Sequence, residues 1–337
     1  MRSVRPSLAA LFLLAASALP VVAAEPSAAA VQRAEHDRIV AYWTPARMAA
    51  AQPRDFVRTT TGFQPAAGKP GGGGTAVTGA SWPNLKGKIS TVEGKVFFHM
   101  DGGDWQCSGT STSDSRSGYS LVLTAGHCAY DETNGNGSLA GFATNWMFMP
   151  AWDQQPATFS TACTGSKYGC WTAQALFVHN GFANAGGFND QATHYDWAFA
   201  LVGPGGKGNT QLEALGTFSL QAGSIAKGDT EYLYGFPAAG KYHGNDLTYC
   251  VGPTVEDAGN SNSTWGVACD MTGGSSGGGW IDGSNGNGDT GVLGGLNSYG
   301  YSGVKFMYGP KFNSNTTATY NAANGNATTN TLVGVAP

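Results

Sequence analysis

Six cysteines set the strongest limit on the folds open to this chain of 337 residues. They are Cys107, Cys128, Cys163, Cys170, Cys250 and Cys269. An even number of cysteines in an exported chain predicts disulfide bonds. Six cysteines allow about 15 pairings, and their spacing favours bonds between neighbours along the chain. No close quartet of Cys and His side chains is present, so the sequence predicts no metal site of that kind.

The N-terminus predicts export. Arg2 and Arg5 precede an apolar run over 8–19 and small residues at 22–24, which is the pattern of a secretory signal peptide over 1–24. The run is too short to span a membrane, and no later stretch reaches the roughly 18 apolar residues that a span needs. We therefore expect a secreted, extracellular protein without a membrane partner.

Composition indicates a β-rich domain. Glycine supplies 51 residues, charged side chains only 12%, and the formal net charge is −4. Many turn formers and aromatic residues, with few helix formers, favour short strands joined by polar loops. Because no basic block is present, nucleic acid is not expected as a partner. We expect no cofactor, and a monomer.

Residues 25–85 differ from the rest of the chain. An amphipathic helix is predicted over 31–51, with an interruption at Thr44-Pro45. A flexible linker that includes four glycines, Gly71 to Gly74, follows it. These residues are predicted to form a pro-segment with a cleavable linker, and the alternative is an N-terminal extension that is never removed.

The pattern of short strands and turns begins at Lys86 and defines a domain over 86–337. The strand candidates are Gly94–Met100, Tyr119–Thr124, Trp146–Met149, Ala175–Val178, Trp197–Val202, Glu231–Tyr234, Leu247–Val251, Val292–Leu296 and Gly303–Tyr308. A short helix is expected over 316–323. Loops at 131–137 and 282–291 are rich in Asp, Asn and Gly, but they lack the alternating ligands of an EF-hand loop, which favours ordinary turns and leaves calcium open.

Two short motifs carry the chemistry. His127 ends an apolar β-branched run, and Ser276 lies in a glycine cluster whose backbone N–H groups can point one way. A serine, a histidine and a buried carboxylate form an acyl-transfer site. All six histidines precede Ser276, which excludes an α/β-hydrolase, where the histidine follows the serine. The carboxylate upstream of His127 that a subtilisin-like order requires is found only in polar loops.

The stretches Thr124-Ala125-Gly126-His127-Cys128 and Gly274-Ser275-Ser276-Gly277-Gly278 resemble the histidine and serine signatures of trypsin/chymotrypsin-like serine proteases, in particular secreted bacterial members. The resemblance covers about 90–310. It implies an all-β fold, a double β-barrel of the trypsin-like kind with the site between the barrels. It also implies a disulfide between Cys107 and Cys128, which anchors the loop that carries His127.

The resemblance assigns the catalytic roles residue by residue. Ser276 is the expected nucleophile because two glycines follow it directly, and the N–H groups of Gly274 and Ser276 are expected to form the oxyanion hole. Asp196 stands just before an apolar strand, where a buried charge needs a partner such as an imidazole N–H. Asp190 is the second candidate for the carboxylate. His127 would act as general base and then general acid.

Two further predictions concern how the substrate is bound and selected. The resemblance implies that Asp270, six residues before Ser276, lies at the base of the primary pocket, as the residue at that position does in trypsin-like enzymes. A carboxylate there would select Arg or Lys; the alternative is a structural role. The segment Ser298-Tyr299-Gly300 resembles the family's substrate-pairing strand. Ser275 stands where mammalian-type members have an aspartate that pairs with a new N-terminus, so that route of activation is not expected.

These features together predict a secreted serine endopeptidase that acts on polypeptides. The alternative from another class is a non-catalytic, protease-like binding or adhesion protein. A substituted triad position would favour that alternative, and the sequence has none.

Overall fold

The structure, a computed structural model, describes residues 25–65, 78–155 and 163–335, together with Met1. The predicted signal peptide and the glycine run of the linker lie outside the described residues. None of the helices among the described residues combines the length and the apolar character that a membrane crossing needs.

The N-terminal segment forms two helices and three short strands. They are α1 (Ala28–Tyr42), α2 (Pro45–Ala50), β1 (Gln52–Pro53), β2 (Phe56–Thr59) and β3 (Gly62–Pro65). The side chain of Thr44 caps α2, and Pro45 stands at its first turn, which explains the break between the helices. Ile39, Trp43 and Met48 are buried against Phe97, Met147 and Met149 of the main domain.

A closed barrel of six strands forms the first half of the main domain. β4 (Ala80–Ser81) comes first along the chain but pairs with a strand of the second half. The first half contains α3 (Ile89–Val92), β5 (Glu93–Met100), β6 (Gly103–Thr112), β7 (Ser120–Thr124), β8 (Thr144–Pro150), β9 (Trp171–His179), α4 (Asn180–Ala183), α5 (Asp190–His194) and β10 (Ala198–Val202). The order β6-β5-β8-β9-β10-β7 closes through pairing of β7 with β6. Valine, leucine and phenylalanine side chains fill its interior.

Two further sheets form the second half. Its elements are β11 (Thr230–Gly235), β12 (Thr248–Pro253), β13 (Val255–Glu256), β14 (Thr264–Ala268), β15 (Gly279–Asp282), β16 (Val292–Leu296), β17 (Tyr299–Tyr301) and β18 (Phe306–Pro310). The chain then returns to the barrel, where α6 (Ser314–Ala323) packs on β9 and β10 and β19 (Thr331–Val333) pairs with β9. One sheet has the order β16-β15-β11-β12-β4 and the other β13-β14-β18-β17-β2-β3. The predicted all-β class with a short C-terminal helix is confirmed.

All six cysteines are paired between neighbours along the chain. The bonds join Cys107 to Cys128, Cys163 to Cys170, and Cys250 to Cys269. The third bond connects β12 of one sheet to the end of β14 in the other. Disulfides of this kind are consistent with an extracellular protein.

Strands β1 and β2 belong to different halves of the molecule. β1 pairs with β6 of the barrel, and β2 pairs with β17 of the second half. The chain between them therefore crosses from one half to the other, and the residues at the crossing are Arg54 and Asp55.

Candidate active site

His127 lies just after strand β7, on a short 3₁₀ turn over Gly126–Cys128. Its side chain is fully buried. Cys107 belongs to β6 and Cys128 follows the histidine directly, so their disulfide ties this turn to the barrel wall. The strand before His127 and the covalent bond after it together hold the imidazole in place.

Asp196 reaches the same end of the barrel because β10 pairs antiparallel with β7, with Ala198 opposite Thr124. His127 Nδ1 lies 2.8 Å from Asp196 Oδ2, and the backbone N–H of His127 donates to Oδ1 over 2.9 Å. The Ser298 hydroxyl also donates to Oδ2. Asp196 is fully buried, and a buried carboxylate requires such donors to offset the loss of water.

Ser276 lies in the glycine-rich loop between β14 and β15. Gly274 and Gly277 have φ values of +97° and +85°, a region that favours glycine. A Cβ atom on Gly277 would lie 2.2 Å from Thr124 Oγ1 and 2.4 Å from the Ser108 carbonyl oxygen, so a larger residue does not fit. Among the described residues, the N–H groups of Gly274 and Ser276 donate to no acceptor.

Two buried polar residues to which the sequence assigned no role hold this loop. The backbone N–H of Ser108 donates to the Ser276 carbonyl over 2.7 Å, and its hydroxyl donates to the Gly274 carbonyl over 2.8 Å. The Asn297 amide donates to the Ser275 carbonyl over 3.1 Å. No motif marks Ser108, whose only signal is its position next to a disulfide cysteine.

The hydroxyl of Ser276 donates to Oδ1 of Asp55 over 3.1 Å. Nε2 of His127 is buried and has no hydrogen-bond partner among the described residues. The serine hydroxyl is therefore bonded to the N-terminal segment and not to the histidine. Burial raises the pKa of Asp55 to about 6, although the charge of His127 and the hydrogen bond from Ser276 act to lower it. Asp55 could not be found from the sequence, because a lone aspartate outside any motif carries no signal.

The residues on either side of Asp55 also contact the site. The Arg54 guanidinium donates to the His127 carbonyl over 2.6 Å and forms an ion pair with the buried Glu132 at 3.2 Å. The Phe56 ring stacks on Phe188 with centroids 4.0 Å apart and stands edge-on to His127 at 5.4 Å. The whole turn from Arg54 to Phe56 therefore packs on the candidate triad.

The strand β17 carries Tyr299 and Gly300, two of the predicted substrate-binding residues. Its free edge is occupied by β2, with Tyr299 opposite Phe56 and Gly300 opposite Val57. Ser298, the third predicted substrate-binding residue, directs its hydroxyl at Asp196 instead.

Asp270 lies apart from the triad and has partners of its own. Lys241 Nζ lies 2.7 Å from Oδ2, while the Tyr242 hydroxyl and the Gly79 N–H donate to Oδ1 over 2.5 and 2.8 Å. Burial acts to raise the pKa of Asp270, but these bonds lower it below its ordinary value. In this structure its charge is already neutralised by Lys241. The second candidate for the triad carboxylate, Asp190, forms an ion pair with Arg58 near the surface.

The sulfur atoms of Cys107 and Cys128 lie close to the His127 ring in a grouping that could in principle bind a metal. Both cysteines are disulfide-bonded, and a disulfide sulfur is not a thiolate ligand. This group therefore offers no metal site.

Two solved structures resemble this chain over most of its length. The chain is 33% identical to the protease Anisep from Arthrobacter nicotinovorans, over 71% of this chain and 97% of Anisep, with a TM-score of 0.56. It is 32% identical to the thermostable serine protease AL20 from an extremophilic microorganism, over 70% of this chain and 98% of AL20, with a TM-score of 0.57.

A third structure shares only the fold. This is a Glu endopeptidase solved in complex with MPD, at 17% identity over 75% of this chain and 98% of that protein, with a TM-score of 0.53. No protein-family model matches the chain, and no curated protein matches it.

Proposed function

Since this chain belongs to the serine proteases with the trypsin-like fold, we propose that it is a secreted serine endopeptidase that cuts polypeptides through an acyl-enzyme on Ser276. The observation that carries the proposal is the pair of Asp196 and His127. Asp196 binds Nδ1 and the backbone N–H of the histidine, so Nε2 is the ring nitrogen left for proton transfer.

The chemistry divides between three side chains. His127 Nε2 takes the proton of Ser276 as the hydroxyl attacks the scissile carbonyl, and then gives it to the leaving amine. Asp196 keeps the tautomer fixed and stabilises the imidazolium. Water then attacks the acyl-enzyme, with His127 again as base.

The oxyanion of the tetrahedral intermediate would be bound by the N–H groups of Gly274 and Ser276, which have no acceptor among the described residues. Losing one donor of this kind costs about 3 kcal/mol of the barrier in a comparable enzyme. The acyl residues of the substrate would add a strand to the edge of β17, at Tyr299 and Gly300. Ser298 would not contact the substrate through its side chain, because its hydroxyl donates to Asp196.

The chain would be made as a precursor that is cut within the glycine-containing linker, and the residues before the cut would be removed. The support is positional, because Asp55 takes the Ser276 hydroxyl and β2 takes the edge of β17 in the uncut chain. Ser275 has no carboxylate to receive a new N-terminal ammonium, so activation would consist of clearing the cleft.

Asp270 would serve the structure and not the selection of Arg or Lys. Its carboxylate already binds Lys241, Tyr242 and the backbone of Gly79. A cationic substrate side chain would have to displace the lysine. Asp270 would therefore not set the residue that the enzyme prefers at the cleavage point.

A fluorophosphonate probe tests the function. The chain is prepared with a recognition sequence for an external protease in place of Gly71–Gly74, cut, and exposed to the probe at neutral pH. We expect one label per chain, on Ser276, and no label in the Ser276→Ala variant. Absence of Ser276-dependent labelling after removal of the N-terminal segment would leave a non-catalytic binding protein of the same fold and would overturn the proposal.

A further inference from the structure

We propose that residues 52–59 occupy the cleft in the direction opposite to a substrate, and that they act as a built-in inhibitor which the enzyme does not cut. This inference rests on the proposed function, because it concerns the same cleft and the same nucleophile. It goes beyond a blocked cleft, since it says why the blocking segment survives next to Ser276.

The direction of the segment follows from its two pairings. β1 runs parallel to β6, with Gln52 opposite Trp105 and Pro53 opposite Gln106. β2 runs parallel to β17, from Phe56 opposite Tyr299 to Arg58 opposite Tyr301. The chain thus leaves the barrel half, passes Ser276 at Asp55, and continues along β17 away from the serine.

A substrate must run the other way along β17. Its acyl residues end at the carbonyl that Ser276 attacks, so their chain direction points toward the serine. Tyr299 lies at the serine end of β17, because its partner Phe56 directly follows Asp55. Acyl residues on this edge are therefore antiparallel to β17, whereas β2 is parallel.

Reversal protects the segment chemically. In the reversed segment, the residues paired with β17 come after Asp55, the residue at Ser276. In a substrate, the residues paired with β17 come before the scissile carbonyl. The segment therefore does not present an acyl group to the nucleophile in the way that a substrate does. A side-chain carboxylate, Asp55 Oδ1, receives the hydroxyl in place of a peptide carbonyl. A carboxylate carries no leaving group, and its negative charge resists attack, so the serine forms no acyl-enzyme with it.

The segment has firm anchors on both sides of this point. On one side, the Arg54 guanidinium binds Glu132 and the His127 carbonyl. On the other, Phe56 stacks on Phe188. Upstream, the side chain of Trp43 is fully buried against the barrel. These contacts act as one unit because the segment is part of the same chain, at a high effective concentration.

The test measures probe labelling and chain integrity together. The chain with the external cleavage sequence in place of Gly71–Gly74 is labelled with the fluorophosphonate before cutting, and again after cutting and removal of the freed segment. We expect labelling to be about 100-fold slower before removal. After a prolonged incubation of the cut but unseparated mixture, mass spectrometry should find the bonds between residues 52 and 59 intact.

Variants keep the outcome interpretable. Phe56→Ala, which loses the stack on Phe188, should raise the labelling rate of the uncut chain at least about tenfold, while Thr60→Ala in the exposed turn should not. Equal labelling of uncut and separated chains, or cleavage within 52–59, would overturn the inference while leaving the protease function intact. Failure of the function itself would instead appear as no Ser276-dependent label in either form.

A separate observation concerns a group of three carboxylates on the sheet that contains β11 and β15. We infer that Asp229, Glu231 and Asp282 form a binding site for one calcium ion. Their carboxylate oxygens lie within 4.8 Å of one another. The site arises from the sheet, because β11 and β15 are adjacent and the pairing of Tyr232 with Ile281 places Glu231 beside Asp282.

Glu231 distinguishes this group from an ordinary acidic surface. The residue has 0% exposure, and neither oxygen of its carboxylate has a hydrogen-bond partner among the described residues. No Lys, Arg or His of the described chain forms an ion pair with any of the three acids; the nearby Lys227 pairs with Glu256. Burying a carboxylate without a hydrogen-bond donor or a cation destabilises the fold through lost hydration, and a bound cation would offset that loss.

The donor set selects the ion. Three carboxylates offer up to six hard oxygen atoms, which suits calcium with its 6 to 8 oxygen ligands at flexible geometry. Asp229 and Asp282 are partly exposed, so water can complete the coordination sphere. The three ligands are all carboxylates, and the group includes no Cys or His side chain of the kind that favours zinc or copper.

Calorimetry and thermal unfolding with calcium chloride test the site. We expect one calcium ion per chain and a higher unfolding temperature in calcium than in EDTA. Glu231→Gln should abolish both effects, and Asp246→Asn, an exposed acid elsewhere, should abolish neither. The competing arrangement is a proton held by Glu231, whose pKa burial and the two aspartates raise to about 8. Absence of saturable calcium binding, with Glu231→Gln at least as stable as the parent, would overturn the proposal.

Discussion

At the scale of single residues, Asp55 contacts the candidate nucleophile although it belongs to no recognisable motif. The triad candidates could be found from sequence, because each has a characteristic setting: a histidine after an apolar strand, a serine among glycines, and an aspartate before an apolar strand. Asp55 has no such setting. Its role depends on the path of the backbone that carries it to Ser276, and a local pattern does not contain that path.

Asp55 makes the hold of the segment depend on pH. Its pKa is about 6 in the bound segment against an ordinary 3.8. Below pH 3.8 the carboxyl is protonated in both the bound and the free segment, and above about 6 it is ionised in both. Binding should therefore be strongest in acid and weaken as the pH rises through about 6, by roughly 10- to 100-fold for a shift near two units.

Native mass spectrometry of the linker-cut chain between pH 4 and 8 measures this loss. The charged groups around Asp55 are His127, Asp196 and the ion pair of Arg54 with Glu132. The Asp55→Asn variant keeps these groups but removes the titrating carboxyl, so it should lose most of the pH dependence. Equal pH profiles of the parent and Asp55→Asn would contradict the assignment.

Asp270 should behave as a structural residue. Asp270→Asn removes the charge that binds Lys241 and weakens the bonds from Tyr242 and Gly79, so stability should fall by about 1–3 kcal/mol. Preference at the cleaved position in a peptide library should not change. Urea unfolding and the library together check this, with Asp246→Asn as the control. A lost preference for Arg or Lys at unchanged stability would restore the pocket role.

At the scale of elements, the sequence identified most strands but not all of them. Strands such as β5, β7 and β10 were visible as apolar β-branched runs. β6 (Gly103–Thr112) was missed because Gly, Ser and Thr fill it and its apolar periodicity is weak. Yet β6 closes the barrel, carries Cys107 and supports the serine loop through Ser108. β6 is stabilised by backbone pairing with β5 and β7 in the closed barrel, and this pairing does not depend on an apolar side-chain pattern.

The disulfide between β6 and the histidine turn should matter more than the shorter one. Cys107 and Cys128 are separated by 21 residues, and Cys163 and Cys170 by 7. In the chain-entropy model, removing the first bond costs about 3 kcal/mol and removing the second about 2 kcal/mol. Urea unfolding of the two double Cys→Ala variants measures the difference. A larger loss from the shorter loop would contradict the model for this chain.

At the scale of the whole molecule, the site is an assembly of distant segments. Asp55, His127, Asp196 and Ser276 come from four parts of the chain, and the two β-rich halves bring them together. The order of histidine and serine along the chain was enough to exclude the α/β-hydrolase fold. Sequence could not give the reversed entry of the N-terminal segment, because the same side-chain alternation fits a parallel or an antiparallel edge.

The most direct test of the account is a burst experiment with a chromogenic p-nitrophenyl ester on the chain freed of its N-terminal segment. An acyl-enzyme on Ser276 predicts a rapid release of one equivalent of p-nitrophenol per chain, followed by slower turnover. His127→Ala should remove the fast phase, and Ser276→Ala should remove all release above the rate in buffer. A full burst in the Ser276→Ala variant would contradict the account, because another group would then be the nucleophile.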